Sequence, residues 1–212
     1  MMLRIVLVRP GATEFDEQGR IKGTLSIPLS DQGSIQANSA ARGLSAQRID
    51  AVYTSPCQAA LQTAETLADS QGVKLKRMDR LQNLNQGLWE GKLIDEVRQR
   101  QPKVYRKWQE DPETICPPEG EMIDSARQRC ETALNKLVKK HRQGIVALVA
   151  PEPLASVIRA SLVGTRLGDL WKAEGDCGSW EMIDIEPDEL PPIPVGVRPA
   201  KTAVMEPGER PN

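Results

Sequence analysis

Residues 3–23 read LRIVLVRPGATEFDEQGRIKG, and this stretch decides the fold. Ile5 to Val8 is a short apolar run of mostly β-branched residues. It is far too short to cross a membrane and reads as a buried parallel strand. The run stops at Arg9, Pro10 and Gly11. In open α/β sheets, ligands bind just outside the carboxyl ends of the strands, so a site is expected here. A guanidinium at that place is a natural partner for phosphate or carboxylate. Pro10 holds Arg9 in extended geometry, which suits the end of a strand.

Working outward, strands and helices alternate. Ser30 is a predicted N-cap for a helix over 31–46. A strand is expected over 49–53 and a helix over 58–69, with a third strand over 73–78. A helical stretch over 93–109 is interrupted near Pro102. A long amphipathic helix is expected over 122–141, with Ile123, Ala126, Cys130, Leu134 and Leu137 on one face. Then come a strand over 145–150, a helix over 154–162 and a last strand over 180–185. From Glu186 the composition changes, and seven of the chain's 16 prolines follow. The expected organisation is a domain over 1–185 and a proline-rich tail over 186–212 with extended preferences.

Several separated motifs resemble the histidine phosphatase (phosphoglycerate mutase-like) superfamily. That family carries Arg-His-Gly-x-Thr after its first strand, and Arg9, Gly11 and Thr13 match. Gly23, Pro28, Leu29, Ser30, Gly33, Gln36 and Ala37 fit its next motif. Ser55, Pro56, Ala60, Gln62, Thr63, Ala64 and Glu65 fit Ser-Pro-x-x-Arg-Ala-x-Gln-Thr-Ala-Glu. Leu81, Gly87, Trp89, Glu90 and Gly91 fit Leu-x-Glu-x-x-x-Gly-x-Trp-Glu-Gly, and PPEGE precedes the long helix. The resemblance implies a three-layer α/β/α sandwich around a mostly parallel sheet.

It also implies four departures. The family's nucleophilic His falls on Pro10, its second phosphate-binding Arg on Ala59, its acid on Asn83 and its second His on Pro151. Family chemistry needs a neutral imidazole, cationic donors to the equatorial oxygens and a proton donor for the leaving group. Proline and alanine supply none of these, and asparagine delivers no proton at pH 7. Loss of a nucleophile alone costs on the order of 10⁶ in rate. Each charge-assisted hydrogen bond to phosphate is worth roughly 1.5–3 kcal/mol. The expected protein is therefore a pseudophosphatase that binds a partner protein or a small phosphorylated or anionic ligand, with no cofactor and no metal. The alternative is an active phosphatase or mutase with a substitute nucleophile.

The ligand-binding residues implied by the family pattern are Arg9, Gly11, Thr13, Gly23 and Ser55. Two arrangements are open to Arg9: an anion site with Thr13 and nearby amides, or an ion pair with a carboxylate such as Glu90. Cys57 lies at a helix N-terminus, where a thiol pKa can fall. It reads first as a core thiol. His141, the only histidine, reads as a surface cation complementing a helix C-terminus. Asp16 and Glu121 read as caps or solvated charges.

Composition narrows the classes. The 212 residues carry a formal net charge of −1 and no basic stripe, which argues against nucleic acid. No run has membrane length, and no signal peptide is expected, because the N-terminal apolar stretch is short and leads directly into the motif. The four cysteines lack metal-ligand spacing and read as reduced thiols of a cytoplasmic protein.

Overall fold

The alternation within the first strand, β1 (Leu3–Val8), sends its side chains into two separate cores. Leu3, Ile5 and Leu7 join one apolar cluster, and Val6 and Val8 join the other. A strand that is apolar on both faces needs cover on both faces. The computed structural model, which describes residues 2–173 and 175–186, provides it. Helices α2 (Asp31–Gly43) and α3 (Gln58–Gln71) cover one face. The other face is covered by α4 (Ile94–Arg100), α5 (Pro102–Glu110), α6 (Ile123–Lys140) and α7 (Leu154–Val163). A one-turn helix, α1 (Glu14–Glu17), lies in the loop after β1.

The other strands are β2 (Ala51–Thr54), β3 (Leu75–Arg77), β4 (Gly144–Val149) and β5 (Trp180–Ile185). Their order in the sheet is β3-β2-β4-β1-β5. The first four run parallel, and β5 closes the edge antiparallel to β1. This is the expected three-layer α/β sandwich with a mostly parallel sheet. The ends of β1, β2 and β4 therefore emerge together, which brings the loops after Val8, Thr54 and Val149 into one place.

Local boundaries differ from expectation where the backbone finds other partners. The helical stretch over 93–109 does break at Pro102 as expected, because Pro102 has no N–H to continue the first helix and instead opens the second. The predicted third strand is only three residues long, pairing with β2 from Leu75 to Arg77. Helix α2 stops at Gly43 rather than at 46, with the Leu44 amide bonded back to Ala40 and Arg42. Beyond Glu186, the predicted proline-rich tail lies outside the described residues. Among the described residues, no helix is long and apolar enough to cross a membrane.

Candidate functional site

The loop after β1 is held by its own polar groups. The Gly11 amide donates to Thr63 Oγ1 at 3.1 Å, the Ala12 amide to Gln36 Oε1 at 2.8 Å, and the Thr13 amide to Asp16 Oδ2 at 2.8 Å. Thr13 and Asp16 form a reciprocal capping box on α1. Gly11 packs so closely on the start of α2 that a Cβ would lie 2.0 Å from the Gly33 carbonyl oxygen. A phosphate-binding loop works by leaving successive amides free to point at the anion. Here three consecutive amides are already spent.

Pro10, Ala59, Asn83 and Pro151 come together, although far apart in sequence. They line one small pocket with Thr13, Lys22, Gly23, Leu25, Ile27 and Cys57. Its free volume is about 10 Å³. That is room for about one water, not for a phosphate group. The only histidine of the chain is elsewhere, and the only cation on the wall, Lys22, is tied to Asp16 at 2.5 Å.

Asn83 is 2% exposed and acts as a strut. Its Nδ2 donates to the Gly23 carbonyl at 2.9 Å and to the Glu152 carbonyl at 3.1 Å. Its Oδ1 accepts from the Leu154 amide at 3.4 Å, a weak contact. Both ends of the amide are used to join the loops after β1 and β4. Gly23 has φ +51°, and a Cβ there would strike Glu90 Oε1 at 2.1 Å. Glu90 clamps this loop by accepting from the Thr24 amide and hydroxyl and from the Gln86 amide.

Arg9 is 4% exposed. Its Nε donates to Glu152 Oε1 at 2.7 Å, and Nη1 and Nη2 each reach Glu181 Oε1 at 3.3 Å. Of the two arrangements open to Arg9, the ion pair is the one formed. Its partners are Glu152 and Glu181; the suggested Glu90 is occupied with Thr24 and Gln86. Glu152 is fixed in turn by the Ser156 hydroxyl at 2.7 Å, and Glu181 by Arg159 Nε at 3.0 Å. A buried guanidinium needs an anion, and the chain supplies two.

The five expected ligand-binding residues thus separate. Thr13 and Gly23 line the pocket; Arg9, Gly11 and Ser55 do not. Ser55 is buried, with Oγ 3.8 Å from Cys57 Sγ. Cys57 is half-buried rather than sealed in the core, sits at the N-cap of α3 and faces the pocket. Asp16 and Glu121 are structural, the latter pairing with Arg129 Nη2 at 2.7 Å and accepting from the Asn85 amide. His141 ends α6, but it is half-buried rather than at the surface as expected. Its Nε2 lies 2.7 Å from the Tyr53 hydroxyl, and burial, with Lys140 and Lys76 adding to it, lowers its pKa. Sequence reasoning missed Glu152 and Glu181. The signal for Glu152 was its place directly after Pro151; nothing local marked Glu181, which reaches Arg9 only through the antiparallel pairing of β5 with β1. Among the described residues, no group of three or more His, Cys, Asp or Glu side chains is placed to hold a metal ion.

Comparison with known proteins agrees with this fold. The family profile described as histidine phosphatase superfamily (branch 1) matches residues 5–191. Phosphoserine phosphatase 1 of Hydrogenobacter thermophilus is 29% identical over 185 residues, covering 87% of this chain and 88% of that protein. The adenosylcobalamin/alpha-ribazole phosphatase of Escherichia coli is 27% identical over 184 residues, covering 86% of this chain and 90% of that protein. Among solved structures, mycobacterial glucosyl-3-phosphoglycerate phosphatase superposes with a TM-score of 0.77 at 26% identity, over 87% of this chain and 91% of that one.

Proposed function

The chain belongs to the histidine phosphatase superfamily, and from that premise we propose that it is a non-catalytic member, a pseudophosphatase that acts by binding. The observation that carries this reading is the pocket where Pro10, Ala59, Asn83 and Pro151 meet, with about 10 Å³ of free volume. No side chain on its wall does the work of an imidazole nucleophile or a carboxylic acid. The one arginine of the signature is turned to Glu152 and Glu181. Transition-state stabilisation for phosphoryl transfer rests on cationic donors around the equatorial oxygens, and this pocket offers none unpaired.

The second reading is an active phosphomonoesterase with a substitute nucleophile. The phosphatase names of the relatives favour it. Cys57 is the residue it would need, since it faces the pocket from the N-cap of α3. The two readings separate in a phosphomonoester assay on purified protein, followed by mass spectrometry for a phosphoryl-enzyme. The pseudophosphatase reading expects neither turnover nor a phosphorylated peptide. Turnover that vanishes in Cys57→Ser would replace it with the second.

With Arg9 and the loop amides engaged, a small anion has little to hold in this pocket. The binding we propose is therefore of a partner protein or an uncharged ligand, on the scaffold that the family fold preserves.

A further inference from the structure

The end of the sheet opposite the degenerate pocket carries a concentration of positive charge. Met2, Asp50 and Gly144 stand at the amino ends of β1, β2 and β4. With Lys140, His141 and Arg142 they line an open depression of about 570 Å³.

Tyr53 on β2 gathers the cations at its edge. It is 4% exposed, and its hydroxyl lies 2.7 Å from His141 Nε2. Lys76 is its neighbour on β3 and sets Nζ 5.7 Å from the centre of the Tyr53 ring. Lys140, the last residue of α6, also hydrogen-bonds with the Tyr53 side chain. Lys76 and Lys140 therefore meet from two separate elements. Their contact lowers the pKa of Lys76 and raises that of Lys140, as happens when one amine accepts a hydrogen bond from another. Desolvation and then Lys74 push Lys76 further down.

A lysine at a helix C-terminus complements the helix dipole, and that accounts for Lys140 alone. It does not account for Lys76 and Lys74, which come to it from β3 and the residue before β3. Like charges brought together repel. Among the described residues, no carboxylate pairs with Lys74, Lys76 or Lys140 to offset this. Asp50, the one carboxylate lining the depression, accepts from the Ile145 amide at 2.9 Å and acts on His141. Arg142 on the same wall is already engaged.

We propose that this end of the sheet binds a compact anion with two adjacent phosphoryl groups, free diphosphate or the diphosphate of a nucleotide, held mainly by Lys76 and Lys140. Two phosphoryl groups set a charge against each amine and relieve the repulsion between them. Charge gathered at one point suits a compact anion; an extended nucleic-acid backbone calls for a stripe. The site is at the far end of the strands from Pro10 and Pro151, so it stands whether or not that pocket turns over phosphate.

Calorimetric titration of the full chain compares pyrophosphate, phosphate, ADP and AMP at one low ionic strength, because salt screens exposed charges. Pyrophosphate or ADP should bind with a dissociation constant on the order of 0.1 mM. Phosphate and AMP should each bind about tenfold more weakly. ADP bound at least as well as pyrophosphate assigns the nucleotide as the source; pyrophosphate bound alone assigns the free anion. Lys76→Gln and Lys140→Gln should each weaken binding about tenfold. Lys103→Gln, which changes an exposed lysine of α5, should leave it unchanged. If Lys76→Gln disturbs β3, Lys140→Gln at the helix end carries the test. Any of four results would overturn the proposal: no binding of pyrophosphate or ADP up to about 10 mM, phosphate bound as tightly as pyrophosphate, binding unchanged in Lys140→Gln, or binding weakened equally in Lys103→Gln.

Discussion

Arg9 donates from Nε to Glu152 Oε1 at 2.7 Å, and this bond joins the end of β1 to the loop after β4. In the resemblance to the family, its Ser-His-Gly falls on Ala150, Pro151 and Glu152, so a glycine is implied where Glu152 stands. One substitution therefore does two things. It fills the charge requirement of a buried guanidinium, and it removes that guanidinium from any ligand.

If Glu152 acts as a resident anion for Arg9, removing it should expose the need. Glu152→Ala is expected to lower stability by roughly 1.5–3 kcal/mol, the range for a charge-assisted hydrogen bond, with Glu181 limiting the loss. Added phosphate or sulfate should then raise the melting temperature of the variant more than that of the parent, because an anion that binds only the folded state stabilises it. Equal shifts in both proteins would show that Arg9 is not made available.

Restoring the family side chains without touching Glu152 should fail. The fourfold variant Pro10→His, Ala59→Arg, Asn83→Glu, Pro151→His still has Arg9 paired, so no phosphatase activity above background is expected. Adding Glu152→Gly frees Arg9, and the fivefold variant is the one expected to show slow turnover, since such groups act as a unit. A stopped assay with a generic phosphomonoester compares the two. Equal activity in both would mean that the Arg9–Glu152 pair is irrelevant to family chemistry at this site.

Asn83 predicts a purely structural effect. Asn83→Leu leaves the Gly23 and Glu152 carbonyls without their donor and should cost about 1–3 kcal/mol in urea denaturation. A cost below about 0.5 kcal/mol, typical of an inconsequential surface change, would remove its role as a strut.

His141 predicts a pH dependence. It faces Tyr53 from β2, Lys76 from β3, Asp50 before β2, and Lys140 on its own helix. Its pKa is lowered from 6.5, first by burial and then by the two lysines, with Asp50 opposing. Between the folded and unfolded values the unfolded chain binds more protons. The contribution is therefore fully present above 6.5 and is lost as the pH falls through the folded value. Denaturation midpoints followed downward from neutral pH should decline in the parent and decline less in His141→Gln. Parallel profiles would place the dependence on other groups.

Gly11 is expected to tolerate no side chain. A Cβ would meet the Gly33 carbonyl oxygen at 2.0 Å, and backbone on both sides leaves little room to shift. Gly11→Ala should cost about 1–3 kcal/mol by overpacking, read from the thermal midpoint. An unchanged midpoint would mean that the loop after β1 can move away from α2.

The alternation of β1 was legible because a strand's side-chain period is two, and an apolar residue at every position demands two cores. The helix spacing of Ile123, Ala126, Cys130, Leu134 and Leu137, and the break at Pro102, were legible for equally local reasons: periodicity and a missing N–H. So too was the chemistry open to Pro10, Ala59, Asn83 and Pro151, since the inability of proline to attack phosphorus is a property of the side chain alone. The fate of Arg9 was not legible. Its partners lie 143 and 172 residues away, and Glu90, the carboxylate that the sequence suggests for an ion pair, is used by the Thr24 clamp instead. The same holds for the half-burial of Cys57 and for the lowered pKa of His141. Charge, pKa and unmet hydrogen bonding depend on what stands within a few ångströms in space, and that proximity is made by the sheet order and the loops, not by sequence neighbours. Sequence alone determined the architecture and the side-chain types at the candidate site; the tertiary structure decided which groups remain free to bind, because only packing fixes who satisfies whom.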